Sequence, residues 1–165
     1  MKVSGKLFAL ALGAASVLAA EFVVPTVAVA ADKLYFQGDM VRGRPKSGPT
    51  GPVCVLTSQF KRMEKVVWRV RVFDPAKTNQ LGKAGLKSMF VVLPDGKKFK
   101  MRFGSHPPKK STDTYWTTAW QIPADYPTGS ISYKVVATDK AGKVHSWKPF
   151  NNRGSDFTVI AGNMK

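Results

Sequence analysis

Cys54, His106 and His145, with a methionine, are the ligand types that suit copper, because thiolate, imidazole and thioether all bind that metal. Their spacing works against a site. Cys54 lies 52 residues before His106, and the last methionine, Met164, sits in the tail. The three residues therefore stand only as an alternative reading, a metal or small-ligand carrier. Hydrolysis needs a placed nucleophile, base and orienter. Ser105 and His106 are neighbours, so on an extended chain they point opposite ways, and no G-x-S-x-G occurs. Paired carboxylates for acid and base work are also missing. Glu64 is the only glutamate after residue 30, and Asp95 and Asp139 sit in turn sequences that explain them. No glycine-rich loop leads from a strand into a helix to hold a phosphate. The expectation is a chain that is not an enzyme and needs no cofactor.

Charge is what the sequence does offer. Lysine and arginine total 26 against 10 aspartates and glutamates, a formal net charge of +16. Such an excess concerns partners and solubility, not fold. The stretch KKFKMRFG puts Lys98, Lys100 and Arg102 on one side of an extended chain, with Phe99, Met101 and Phe103 on the other. Arg69 and Arg71 alternate in the same way with Trp68 and Val70. His106, Lys109 and Lys110 follow in the loop FGSHPPKKSTDTYW, and Lys148 and Arg153 in HSWKPFNNRG. These ten residues are the candidate binding surface. Each row alone reads equally as a wet strand face whose lysines block association between sheets. The whole excess suggests a partner that is an acidic protein or an anionic surface polymer. Nucleic acid is the weakest candidate, because single-strand recognition needs aromatic platforms beside the basic residues, and here the rings point away from the lysines.

The elements that must position these side chains are strands. Period two runs through KVVWRVRVFD, LKSMFVVL, KKFKMRFG, YWTTAWQI and SISYKVVATD, and shorter pieces at 53–56, 143–148 and 156–160 complete about eight. Pro94-Asp95-Gly96 and Asp139-Lys140-Ala141-Gly142 read as hairpin turns. One-sided antiparallel strands must bury their apolar faces against another sheet. The expected fold is all-β, a two-sheet antiparallel immunoglobulin-like sandwich of seven to eight strands, with a small barrel as the alternative. Trp68, Trp116, Trp120, Phe99 and Phe103 fall on inner rows and read as core. Cys54 is the sole cysteine, so no disulfide forms within the chain. In Pro52-Val53-Cys54-Val55-Leu56 it reads as a buried thiol on a short strand, or else as a link to another chain or a single metal ligand.

Ahead of the strands, MKVSGK and the apolar run from Leu7 to Ala19 form the n- and h-regions of a secretory signal, and Ala28 and Ala30 fit the A-x-A pattern. The apolar run is shorter than the ~20 residues of a comfortable span. Cleavage after Ala30 would leave 135 of the 165 residues and remove Lys2, Lys6 and Glu21, lowering the charge by one to +15. The organisation expected is a signal at 1–30, a basic Pro/Gly-rich arm with an edge strand at 31–52, a sandwich at 53–161 and a tail at 162–165. The destination would be periplasmic or extracellular, with no transmembrane segment after cleavage.

The stretch IPADYPTGSISYKVVATDKAGKV resembles the last hairpin of bacterial immunoglobulin-like or fibronectin-like domains, through Pro123, Ala124, Pro127, Gly129, Tyr133, Thr138, Asp139 and Gly142. The resemblance covers residues 122–144 and implies a sandwich serving as an adhesion, carrier or accessory module; with the basic charge, the first reading is an exported accessory module that binds an acidic partner, as a small subunit of a periplasmic or extracellular assembly. The antibody-type cysteine pair is absent. A third reading is a self-assembling structural unit in which the arm adds a strand to a neighbour.

Overall fold

The period-two stretches become strands throughout. The computed structural model describes residues 33–48, 51–106, 112–149 and 156–161. Among these residues there are twelve strands and no helix. In chain order they are β1 (Tyr35–Gly43), β2 (Gln59–Lys61), β3 (Lys65–Asp74), β4 (Asn79–Gln80), β5 (Leu86–Val92), β6 (Lys98–Lys100), β7 (Arg102–Ser105), β8 (Thr114–Gln121), β9 (Gly129–Ile131), β10 (Lys134–Asp139), β11 (Val144–Trp147) and β12 (Phe157–Ile160). The first sheet runs β1-β3-β8-β7, with β4 paired to the end of β3. The second runs β11-β10-β5-β6, and the third β2-β12-β9. The expected signal at 1–30 and the tail at 162–165 lie outside the described residues.

This is an all-β, sandwich-like architecture, but it differs from the expected two sheets of seven to eight strands. Two local events account for much of the difference. The stretch from Lys98 to Ser105 is not one strand. Lys98, Phe99 and Lys100 pair with β5, the Met101 amide still donates to the Met89 carbonyl at 2.8 Å, and from Arg102 onward the chain pairs with β8. The chain thus changes sheet at Met101. Separately, β12 pairs parallel with β2 and antiparallel with β9, making a small sheet of its own.

The N-terminal segment forms an edge strand of the first sheet. Its alternation continues past Gln37, and β1 pairs with β3 residue for residue from Tyr35↔Phe73 to Gly43↔Lys65. Tyr35–Gly43 therefore belongs to the sheet. The 53–56 strand is reduced to a single bridge, Val41↔Leu56. Cys54 is exposed, at φ 61° in a turn, and Val53, Val55 and Leu56 are exposed with it. The expected burial of the thiol fails because only backbone groups of this segment are held, by bonds such as Cys54 N–H to the Arg42 carbonyl at 2.7 Å. Both hairpin turns occur where expected. Gly96 and Gly142 take φ 83° and 89°, which a side chain would oppose.

The core joins all three sheets. Val66, Trp68, Val70 and Val72 of β3 are buried, as are Met89 and Val91 of β5, Val135 and Ala137 of β10, and Phe157 and Val159 of β12. Trp68 meets Phe99, Tyr133 and Phe157, each with ring centres 5.9 Å away. Tyr133 is 4% exposed. Burial first, and then the negative charges of Asp39 and Asp156, push its hydroxyl above the usual tyrosine range. In the unfolded chain that hydroxyl titrates near pH ~10. Its contribution to stability is full below that pH and is lost as pH rises, since ionisation favours the unfolded state. Melting temperature is expected to fall above about pH 10, less steeply in Tyr133→Phe. An identical alkaline fall in the variant would mean the hydroxyl is solvated.

Candidate functional site

The outer face of the first sheet is built from cross-strand rows. One row carries Asp39, Arg69, Thr117 and Arg102 on β1, β3, β8 and β7. The next carries Gln37 opposite Arg71, and Tyr115 opposite Gly104. Arg69 Nε and Nη2 donate to the two Asp39 oxygens at 2.6 and 2.7 Å, a bidentate pair. Arg71 Nη2 donates to Asp113 Oδ1 at 2.8 Å and to the Tyr115 hydroxyl at 3.0 Å. Both guanidinium groups lie over the Tyr115 ring, at 5.2 and 4.3 Å from its centre. The hydrogen bonds to Asp39 raise the Arg69 pKa further despite partial burial. His106 meets Tyr115 edge-on at 6.5 Å. Burial first, and then the Arg69 charge, lowers its pKa, so the ring adds no positive charge at neutral pH. A cleft of about 160 Å³ lies among Gln37, Gly38, Asp39, Arg69, Arg71 and Tyr115.

This arrangement corrects part of the expected basic surface. Arg69 and Arg71 do not project as free charges. They are laid over one phenol ring and paired with Asp39 and Asp113. Asp39 escapes a reading of the sequence that treats 31–52 as an arm, although its place in the β1 alternation puts it opposite Arg69.

The second sheet presents a different face. Lys98 is opposite Val92, which is opposite Lys134. Lys100 is opposite Phe90, Phe90 opposite Val136, and Val136 opposite Ser146. Ser88, Thr138 and Val144 form the third row. Lys98, Lys100 and Lys134 are exposed, while Phe90, Val92 and Val136 are half-buried. No carboxylate stands in these three rows. Lys134 and Lys148 line a common cleft with Tyr133 and Pro94. Lys134 alternates with the inner row of SISYKVVATD, so the signal for it is present in the sequence. Because of the sheet change at Met101, Lys98 and Lys100 lie on this face and Arg102 on the first. The expected single row is therefore divided between two faces.

Lys109, Lys110 and Arg153 lie outside the described residues. The other candidate ligands are separated. His106 follows β7 of the first sheet, whereas His145 is on β11 of the second, with Nε2 2.9 Å from Asp139 Oδ2. That contact, ahead of the Lys143 and Ala141 amides, lowers the Asp139 pKa. Among the described residues no three His, Cys, Asp or Glu side chains gather as a metal site. Glu64 is 4% exposed and ion-paired with Arg42 at 3.2 Å, and no described helix is long and apolar enough to cross a membrane. No protein-family model and no curated protein matches the chain.

Proposed function

We propose that the chain is an exported, non-catalytic, immunoglobulin-like binding module that docks an acidic partner, as a small accessory subunit of a periplasmic or extracellular assembly. The observation that carries this reading is that Lys98, Lys100 and Arg102 are exposed without an ion pair to any described residue. Among the described residues, six carboxylates are committed elsewhere. Asp39 holds Arg69, Glu64 holds Arg42, Asp74 and Asp95 meet Lys77 and Lys97, Asp113 holds Arg71, and Asp139 holds His145. A positive field with no internal counter-charge speeds capture of an acidic partner and weakens with salt. The signal-like start supplies the export part of the reading.

Poly-L-glutamate binding, followed by interferometry at rising salt, tests it. The triple variant Lys98→Glu, Lys100→Glu, Arg102→Glu is expected to lose affinity by about tenfold or more. A charge-matched control, Lys77→Glu, Lys83→Glu, Lys140→Glu, is expected to lose much less. Equal losses would mean that net charge acts diffusely, and the reading would fail.

A further inference from the structure

We infer that the outer face of β10, β5 and β6 docks a folded protein that presents carboxylates around a small apolar centre. The inference rests on the proposed docking of an acidic partner and assigns to it a face and a partner chemistry. A solvent face of an antiparallel sheet is ordinarily polar, and the middle rows of the first sheet follow that rule with Gln37, Asp39, Arg69, Arg71, Thr117 and Arg102, flanked by Tyr35 opposite Phe73 and Val41 opposite Val67. The second does not. Phe90 and Val136 oppose each other, Val92 is two residues along the same strand, and Lys98, Lys100 and Lys134 surround the three. Lysine stems lie along apolar surface while their ammonium groups reach water. The result is an apolar centre with a charged rim, the anatomy of a protein interface.

Other occupants fit less well. A second copy of this chain would set the same lysines against themselves, with no carboxylate in the facing rows. An anionic polymer would use the lysines and leave the apolar centre idle. A membrane surface takes apolar groups ~5–10 Å deep, and Phe90, Val92 and Val136 are half-buried in the sheet. A protein with a carboxylate ring uses both features.

The test uses the full chain labelled for amide chemical-shift mapping. One probe is a helical peptide with a leucine stripe flanked by glutamates, and the second is the same peptide with glutamines in place of the leucines. The leucine peptide is expected to bind at least about tenfold more tightly. Its shifts should centre on Phe90, Val92, Lys98, Lys100, Lys134 and Val136. Lys98→Glu with Lys134→Glu should abolish those shifts, while Arg102→Glu should leave them in place. Equal affinity for the two peptides overturns the inference, as do shifts centred on Arg102 and Thr117. Phosphatidylglycerol vesicles shifting this face while the leucine peptide does not would assign it to a membrane instead. In the first two cases acidic binding itself persists, so the proposed function survives. If neither peptide nor poly-L-glutamate binds at low salt, both fall.

Discussion

Glu64→Ala is expected to lower the stability of the fold by about 3–5 kcal/mol. Glu64 is the one buried charged side chain among the described residues, 4% exposed. Its Oε1 lies 3.2 Å from Arg42 Nε, an ion pair without hydrogen-bond alignment, and its Oε2 accepts the Lys61 amide at 2.9 Å. Its backbone is also engaged, with the Ile122 amide donating to its carbonyl at 2.9 Å. Removing the carboxylate leaves the part-buried Arg42 guanidinium without its counter-charge, which is the costly way to break such a pair. Replacing both partners by apolar residues of similar size is often neutral, so Arg42→Met with Glu64→Leu should recover much of the loss. Urea unfolding of the two variants checks this. A loss below about 0.5 kcal/mol in the single variant would show that the carboxylate is solvated.

Trp68→Ala is the second large loss, about 3–5 kcal/mol. Trp68 is fully buried and packs against Phe99 at the edge of the second sheet, Tyr133 before β10 and Phe157 of the third. Truncation would remove the ring that ties the three sheets together. The indole Nε1 is buried with no hydrogen-bond partner among the described residues. An unpaired buried donor is itself destabilising, and Trp68→Phe removes it while keeping a ring in place, so it should cost distinctly less than Trp68→Ala. Denaturant midpoints decide this. Equal costs would show that ring packing does not set the loss, and a small cost for alanine would contradict the central place given to this ring.

Much of the fold was legible in period two, because a side chain's face on a strand is set by parity alone. That is why the inner rows of β3, β8 and β10 could be read from alternation, and why Gly96 and Gly142 marked their turns. Sheet membership was not legible. Nothing in KKFKMRFG distinguishes one strand from two, and the change at Met101 depends on which neighbour offers the next carbonyl. The same limit applies to the candidate site. Parity put Arg69 and Arg71 outward, but their neutralisation depends on Asp39 and Asp113, which are 30 and 42 residues distant. Cys54 was misplaced because apolar neighbours suggest a buried strand, whereas the segment is held at the β1 edge by backbone bonds with its side chains in water. Phe90 and Val92 were visible as apolar, but their solvent-side position emerges only once β5 lies between β10 and β6.

The central claim is that Lys98 and Lys100 on one sheet face and Arg102 on another, each without an ion pair to a described residue, and not the overall charge, make this molecule a docking module. The most direct measurement compares the poly-L-glutamate affinities of two equally charged variants at low salt. Reversal at Lys98, Lys100 and Arg102 should weaken binding by about tenfold or more, while reversal at Lys77, Lys83 and Lys140 should have much the smaller effect. Indistinguishable affinities for the two variants would contradict it.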